Sequence, residues 1–333
     1  MGEKLPGWMA GVEHHTVEVN GIRMHYAEQG TGPTVVMLHG FPECWYSWRY
    51  QMPALADAGF RVVAPDLRGC GQTDAPEGSE NYTSMHIVGD IVGLLDALGE
   101  QQQRVLVVAH DWGAAAAWDL CLFRPDRVAA LVALSVPYGA RMPGGSTLRK
   151  SEKVLGEGFY QCRFQEPGRA ERDFERTGTK VSLQKILYSG IRQVLIAPEG
   201  KELMEAMPMP EKQPTWITDF DIQYYTEDKE KSGWTGGLNW YRSIDKSYEL
   251  KAPWTGAGVT TKALFIAGDD EIVLKFPGVK DYFEKGRFKQ LVPNLQDIVI
   301  LEDTGHFIQQ ERAEKVNELL IAFFKEHALA SAK

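Results

Sequence analysis

The chain has 333 residues, 44% of them hydrophobic, enough for one large core or two modest ones. A net charge of −9, with lysine and arginine spread along the chain, argues against nucleic acid or an anionic membrane surface as partner. The four cysteines, Cys44, Cys70, Cys121 and Cys162, lie far apart with no C-x-x-C pair, and read as reduced thiols of a cytoplasmic compartment.

In chain order, Met1-Gly2-Glu3-Lys4-Leu5-Pro6 lacks the apolar stretch of a signal peptide, and Pro6 breaks the myristoylation pattern. Val17-Glu18-Val19 and Ile22-Arg23-Met24 alternate about Asn20-Gly21, a strong hairpin signal. Residues 35–38 read as a buried strand running into His39-Gly40-Phe41-Pro42, and 61–64 as another running into Asp66-Leu67-Arg68-Gly69. Met85, Val88, Ile91, Val92, Leu95 and Leu98 recur at helical spacing, with Gly99 as a stop. Then follow a strand over 105–109, a helix over 114–123 and a strand over 131–135. Residues 139–250 show no strand rhythm and carry Pro/Gly breaks, so they are expected to form a mostly helical insertion. Strands resume over 264–267 and 297–301, and Ala313, Val316, Leu319, Leu320 and Phe323 mark a last amphipathic helix. Ser331-Ala332-Lys333 is not a peroxisomal address, and no run is apolar and long enough to span a membrane. Alternating strands and helices predict an α/β fold with a mostly parallel central sheet flanked by helices. The expected division is a core of 1–138 and 251–333 with a helical cap of 139–250, leaving a crevice at the C-terminal strand ends.

The segment most loaded with chemistry is Ala109-His110-Asp111-Trp112-Gly113. Strand, tight turn and helix in immediate succession have the shape of a nucleophile elbow, with Asp where Ser is usual. An Asp opening a helix is ordinarily an N-cap; two further strand ends tip the reading. Gly268-Asp269-Asp270-Glu271 follows one strand and Asp303-Thr304-Gly305-His306 the next, so nucleophile, acid and histidine come in the order of the α/β-hydrolases. A carboxyl of ordinary pKa about 3.9 is anionic at neutral pH, so Asp111 can attack a saturated carbon without a base. His306 is then free to activate the water that cleaves the resulting ester. Glu271 or Asp270 would orient His306. The tetrahedral oxyanion needs backbone donors, which Trp112 and Phe41 are placed to supply.

His39-Gly40-Phe41-Pro42-Glu43, Asp66-x-Arg68-Gly69-x-Gly71, His110-Asp111-Trp112-Gly113 and Gly305-His306 together resemble a soluble epoxide hydrolase of the α/β-hydrolase superfamily. The fuller run 41–49 is similar to the plant-type enzymes. The resemblance covers about residues 12–327. It implies two cap tyrosines that donate to the epoxide oxygen, and Tyr160 in Gly158-Phe159-Tyr160 and Tyr241 in Asn239-Trp240-Tyr241-Arg242 match those segments. The family usually places Asp where this chain has Glu271, which leaves Asp270 as the alternative orienting acid. His39, Glu43 and His110 are secondary candidates; for Glu43 and His110 the resemblance leaves a water-positioning role and a structural one both open. Asp66 and Arg68 are expected to pin a loop.

The implied reaction hydrolyses a lipophilic epoxide to a vicinal diol through an Asp ester. A haloalkane or haloacid dehalogenase of the same fold also uses Asp and His; the two tyrosines, and Phe41 where such enzymes commonly carry Asn, speak against it. A non-catalytic ligand receptor would generally lack the Asp–His pair. No H-E-x-x-H, dinucleotide glycine motif or P-loop occurs, so neither metal nor cofactor is expected, and water is the only co-substrate. A monomer or homodimer is expected.

Overall fold

The fold is described from a computed structural model covering residues 7–9, 11–101 and 103–328. The terminal segments 1–6 and 331–333 read above lie outside these residues. The first part of the chain alternates strand and helix: β1 (Glu13–Val19), β2 (Ile22–Gln29), β3 (Thr34–Leu38), α1 (Gln51–Asp57), β4 (Arg61–Pro65), α2 (Ser84–Ala97), β5 (Val105–His110), α3 (Trp112–Phe123) and β6 (Val128–Leu134). Eight helices follow without a strand: α4 (Thr147–Leu155), α5 (Tyr160–Arg163), α6 (Arg169–Thr177), α7 (Thr179–Ser189), α8 (Leu203–Ala206), α9 (Asp219–Ser232), α10 (Thr235–Arg242) and α11 (Ile244–Leu250). The sheet is then completed by β7 (Lys262–Gly268), α12 (Val279–Glu284), α13 (Arg287–Leu291), β8 (Leu295–Leu301), α14 (Ile308–Glu311) and α15 (Ala313–Ala328).

The strands form one sheet in the order β1-β2-β4-β3-β5-β6-β7-β8, antiparallel at β1-β2-β4 and parallel from there on. The central strands are apolar on both faces because both are covered; every residue of β3 and β5 is buried. At the hairpin, Asn20 and Gly21 both take positive φ, which an Asn-Gly pair adopts at low cost. The last helix turns Val316, Leu320, Phe323 and Phe324 inward, the stripe its periodicity predicts.

Two of the boundaries that shift do so for one reason. The helix after the elbow begins at Trp112 rather than at 114, because Asp111 makes the whole turn alone at φ 51° and ψ −119°. Likewise β6 ends at Leu134, since Ser135 leaves the strand at φ 68°. Such backbone costs roughly 1–3 kcal/mol and persists only where packing enforces it. Here the enforcing contact is Gly113, whose missing side chain lets α3 pass so close to β3 that a Cβ would lie 2.2 Å from the Leu38 carbonyl oxygen.

The inserted helices seat on the sheet's C-terminal edge through close contacts. A Cβ on Gly236 would fall 2.2 Å from the Gly69 carbonyl oxygen, so α10 packs directly on the loop after β4. The Trp240 indole donates to the Arg68 carbonyl at 3.0 Å, and buried Arg49 pairs with Asp221 of α9 at 2.9 Å. That core loop is itself pinned. Asp66 accepts from the backbone N–H groups of Trp45 and Gln72, and Arg68 grips Asp90 with two nitrogens.

Candidate active site

The strained turn at Asp111 aims its side chain away from its own helix. It makes no N-cap hydrogen bond; Oδ1 instead accepts the Phe41 backbone N–H at 2.9 Å. Trp112 is the first residue of α3, so its backbone N–H has no partner inside the helix. The loop after β3 therefore meets the elbow as the oxyanion geometry requires. The approach depends on Gly40, where a Cβ would lie 2.5 Å from that of Asp111.

On the other side of the carboxylate, His306 Nε2 stands 3.5 Å from Asp111 Oδ2. Its Nδ1–H donates to Glu271, 2.8 Å from Oε1 and 3.1 Å from Oε2, and Glu271 is fully buried. Glu271 also accepts the Val273 backbone N–H at 3.0 Å, so its carboxylate is fixed from behind. Asp270, the alternative, is not at the site. It points to the surface and pairs with Lys275 and Arg192.

The charges reinforce one another. Burial alone would raise the Asp111 carboxyl; the hydrogen bond and charge of His306, with His110 and the Phe41 N–H, outweigh it and hold Asp111 below the usual carboxylate value. Burial likewise opposes a charged His306, yet Glu271 and Asp111 on its two nitrogens hold the imidazolium well above the usual range. Both directions favour a carboxylate facing an imidazolium.

Across the cavity stand the two tyrosines. Half-buried Tyr160 opens α5, buried Tyr241 lies on α10, and their ring centroids are 5.8 Å apart. Burial, and next Asp111 for Tyr160 or Tyr160 and Asp111 for Tyr241, push both phenols above their ordinary value, so both stay protonated. Tyr241 also meets the Trp112 indole edge-on, with centroids 4.9 Å apart. A small cavity lies among these groups. Asp111, Tyr160, Tyr241 and His306 are its polar lining, and Phe41, Phe164, Ile186, Leu195 and Met204 are among the apolar residues that make up the rest.

The secondary candidates separate. His39 is buried; its Nδ1–H donates to the Gly40 carbonyl and its Nε2 accepts the Leu67 N–H, and burial lowers its pKa, so it is a neutral brace between two loops. His110 and Glu43 lie behind the histidine. His110 Nε2–H donates to the His306 carbonyl at 2.8 Å, and Nδ1 meets Glu43 Oε2 at 2.8 Å. Gln309 and Gln310 donate to the other Glu43 oxygen. The sequence reading passed over both glutamines. Two adjacent amides closely following His306 were the available signal. Among the described residues no group of three or more His, Cys, Asp or Glu side chains could hold a metal ion.

A family model described as the alpha/beta hydrolase fold matches residues 33–313. Epoxide hydrolase 1 of Siraitia grosvenorii is 48% identical over 318 residues, which is 96% of this chain and 100% of that one. Among solved structures, an epoxide hydrolase from Vigna radiata superposes with a TM-score of 0.92 at 46% identity, covering 96% of this chain and 100% of its own. A mutant of the epoxide hydrolase from Solanum tuberosum gives 0.90 at 44%, covering 95% and 99%. Fold, strand-end chemistry and near-full-length likeness agree: this chain belongs to the epoxide hydrolases of the α/β-hydrolase family.

Proposed function

We propose that the protein adds water to lipophilic epoxides in two steps, with Asp111 as nucleophile and His306 as base. The observation that carries the assignment is the two-sided hold on one carboxylate: Phe41 N–H on Oδ1 and His306 at Oδ2, facing two protonated tyrosines. In the first step Oδ2 attacks an epoxide carbon and the C–O bond of the ring breaks. Tyr160 and Tyr241 donate to the oxygen that leaves, and one of their protons converts the alkoxide to an alcohol. Ester formation removes the Asp111 charge, one of the two charges that raise the His306 pKa. The imidazolium then gives up its proton more readily; that proton passes through water to the tyrosinate left by the first step, restoring the phenol and leaving His306 neutral as a base.

In the second step His306 takes a proton from water, and the water oxygen adds to the ester carbon, Cγ of Asp111. Negative charge develops on Oδ1, where the backbone N–H groups of Phe41 and Trp112 receive it. Collapse breaks the bond from Cγ to the substrate oxygen, the proton on His306 passes to that oxygen, and the diol departs; the proton left on the regenerated Asp111 carboxyl then moves to His306, restoring carboxylate and imidazolium. Glu271 holds the imidazole in the tautomer this needs. His110 and Glu43 hold the His306 loop from behind. The apolar cavity wall supports a lipophilic substrate. The run of helices between β6 and β7 supports 139–250 as a cap on a core of 1–138 and 251–333. Four free thiols support a cytoplasmic place, and no helix among the described residues is long and apolar enough to cross a membrane.

Single-turnover mass spectrometry with styrene oxide tests the reaction. Wild type should yield diol, and His306→Ala should accumulate an adduct of intact substrate mass on Asp111. Halide release from a chloroalkane with no diol from the epoxide would instead assign dehalogenation. Light scattering separates monomer from homodimer.

A further inference from the structure

The histidine loop is held from the cap as well as from the core. The His306 backbone N–H donates to the Gly190 carbonyl at 2.8 Å, at the C-terminal end of α7. The flanking N–H groups of Gly305 and Phe307 both donate to Glu311, at 2.9 and 3.0 Å. Glu311 is a carboxylate with only 4% of its side chain exposed, and the cation that faces it is Arg192 of the cap, at 3.2 Å. The same guanidinium reaches Asp270 at 3.2 Å and Asp303 at 3.1 Å, while Lys275 donates to the Arg192 carbonyl and to Asp270. The fit is close. A Cβ on Gly305 would lie 2.5 Å from the Gly190 oxygen and 3.2 Å from Cγ of Arg192. Ile191 and Leu195, on either side of Arg192 in sequence, line the substrate cavity.

We infer that Arg192 is a positioning residue for His306, acting through Glu311, and that it serves the ester-hydrolysis step specifically. The inference rests on the two-step reading above. Its selectivity follows from which parts each step uses. Ester formation needs an ionised Asp111, held by the elbow and Phe41, and two tyrosines on α5 and α10; the Arg192 guanidinium bonds to Glu311, Asp270 and Asp303 rather than to any of these, and the tie between its segment and Tyr160 is made by backbone, the Tyr160 N–H on the Leu195 carbonyl at 3.0 Å. Hydrolysis needs the imidazole placed within hydrogen-bond reach of water and the ester carbon, and misplacement of even about 1 Å can cost 100-fold. Without Arg192, Glu311 becomes a buried carboxylate stripped of its paired guanidinium, and the two N–H groups it anchors lose a fixed partner.

The test is rapid-quench mass spectrometry of the full chain with styrene oxide, measuring the rise and decay of the Asp111 ester separately. Arg192→Gln should slow decay about 10-fold while the rise stays within about twofold, so the ester accumulates. Arg192→Lys should restore most of the decay rate, and Glu311→Gln should reproduce the selective loss. If Arg192→Gln fails to fold, Glu311→Gln and the wild type in molar salt, which screens the partly exposed pairs, carry the same expectation. Equal slowing of both phases would make Arg192 merely structural and overturn the inference, as would unchanged decay. Wild type that forms neither ester nor diol would overturn the two-step reading beneath it, a result distinct from either.

Discussion

Replacing Glu271 with glutamine removes one charge from the site with little change in shape. The Glu271 carboxylate lies 2.8 Å from His306 Nδ1 and is fully buried. Two unit charges about 4 Å apart interact by about 4 kcal/mol at an effective dielectric constant of about 20. That energy stabilises the imidazolium formed as His306 takes a proton from water, so its loss should slow ester hydrolysis about a thousandfold. Ester formation, which starts from an Asp111 already ionised, should change far less. Rapid-quench mass spectrometry of Glu271→Gln with styrene oxide should therefore show nearly complete conversion of Asp111 to its ester, followed by very slow diol release. The acid limb of the residual hydrolysis should move to lower pH, because the largest influence raising the His306 pKa is gone. Hydrolysis at wild-type rate in Glu271→Gln, or a comparable loss in Asp270→Asn, would refute the assignment of Glu271 as the orienting acid.

Three further outcomes are expected. Tyr160→Phe and Tyr241→Phe should each slow ester formation about 100-fold and leave decay of a preformed ester unchanged, as read in the same experiment. Gly40→Ala should keep a native far-UV spectrum yet lose most ester formation, since its Cβ would collide with the Asp111 side chain at 2.5–2.6 Å; near-normal turnover would refute the claim that the two loops must touch. The raised His306 pKa means that its contribution to stability is complete below the ordinary imidazole value and is lost as pH rises through the folded one. The gap in unfolding free energy between wild type and His306→Gln should thus shrink with rising pH in urea titrations, and a gap that widens would reverse the assigned sign.

Much of this protein is legible in one dimension. The sheet's central strands are continuous apolar runs, and a run such as 105–109 has few ways to satisfy its backbone except between two other strands. The elbow is legible because the squeeze between a strand and a helix leaves room for a single residue, and Gly113 marks where α3 must pass β3. Asp111, Glu271 and His306 are legible as types at strand ends in a given order. What the order leaves open is which of two adjacent carboxyls faces the histidine. That was decided by packing: Glu271 turns inward beneath β7, while Asp270 finds Lys275 and Arg192 at the surface. The same holds for His39, which belongs to the motif as written but is consumed by two backbone hydrogen bonds. Arg192, Glu311, Gln309 and Gln310 left no mark in the reading, because their meaning lies in partners far away along the chain. Local sequence determines strands, turns and reactive types through short-range sterics and periodicity. The hydrogen bonds about Asp111 and His306, the meeting of the two tyrosines and the tie of the His306 loop to the end of α7 arise from groups that only the folded chain brings together.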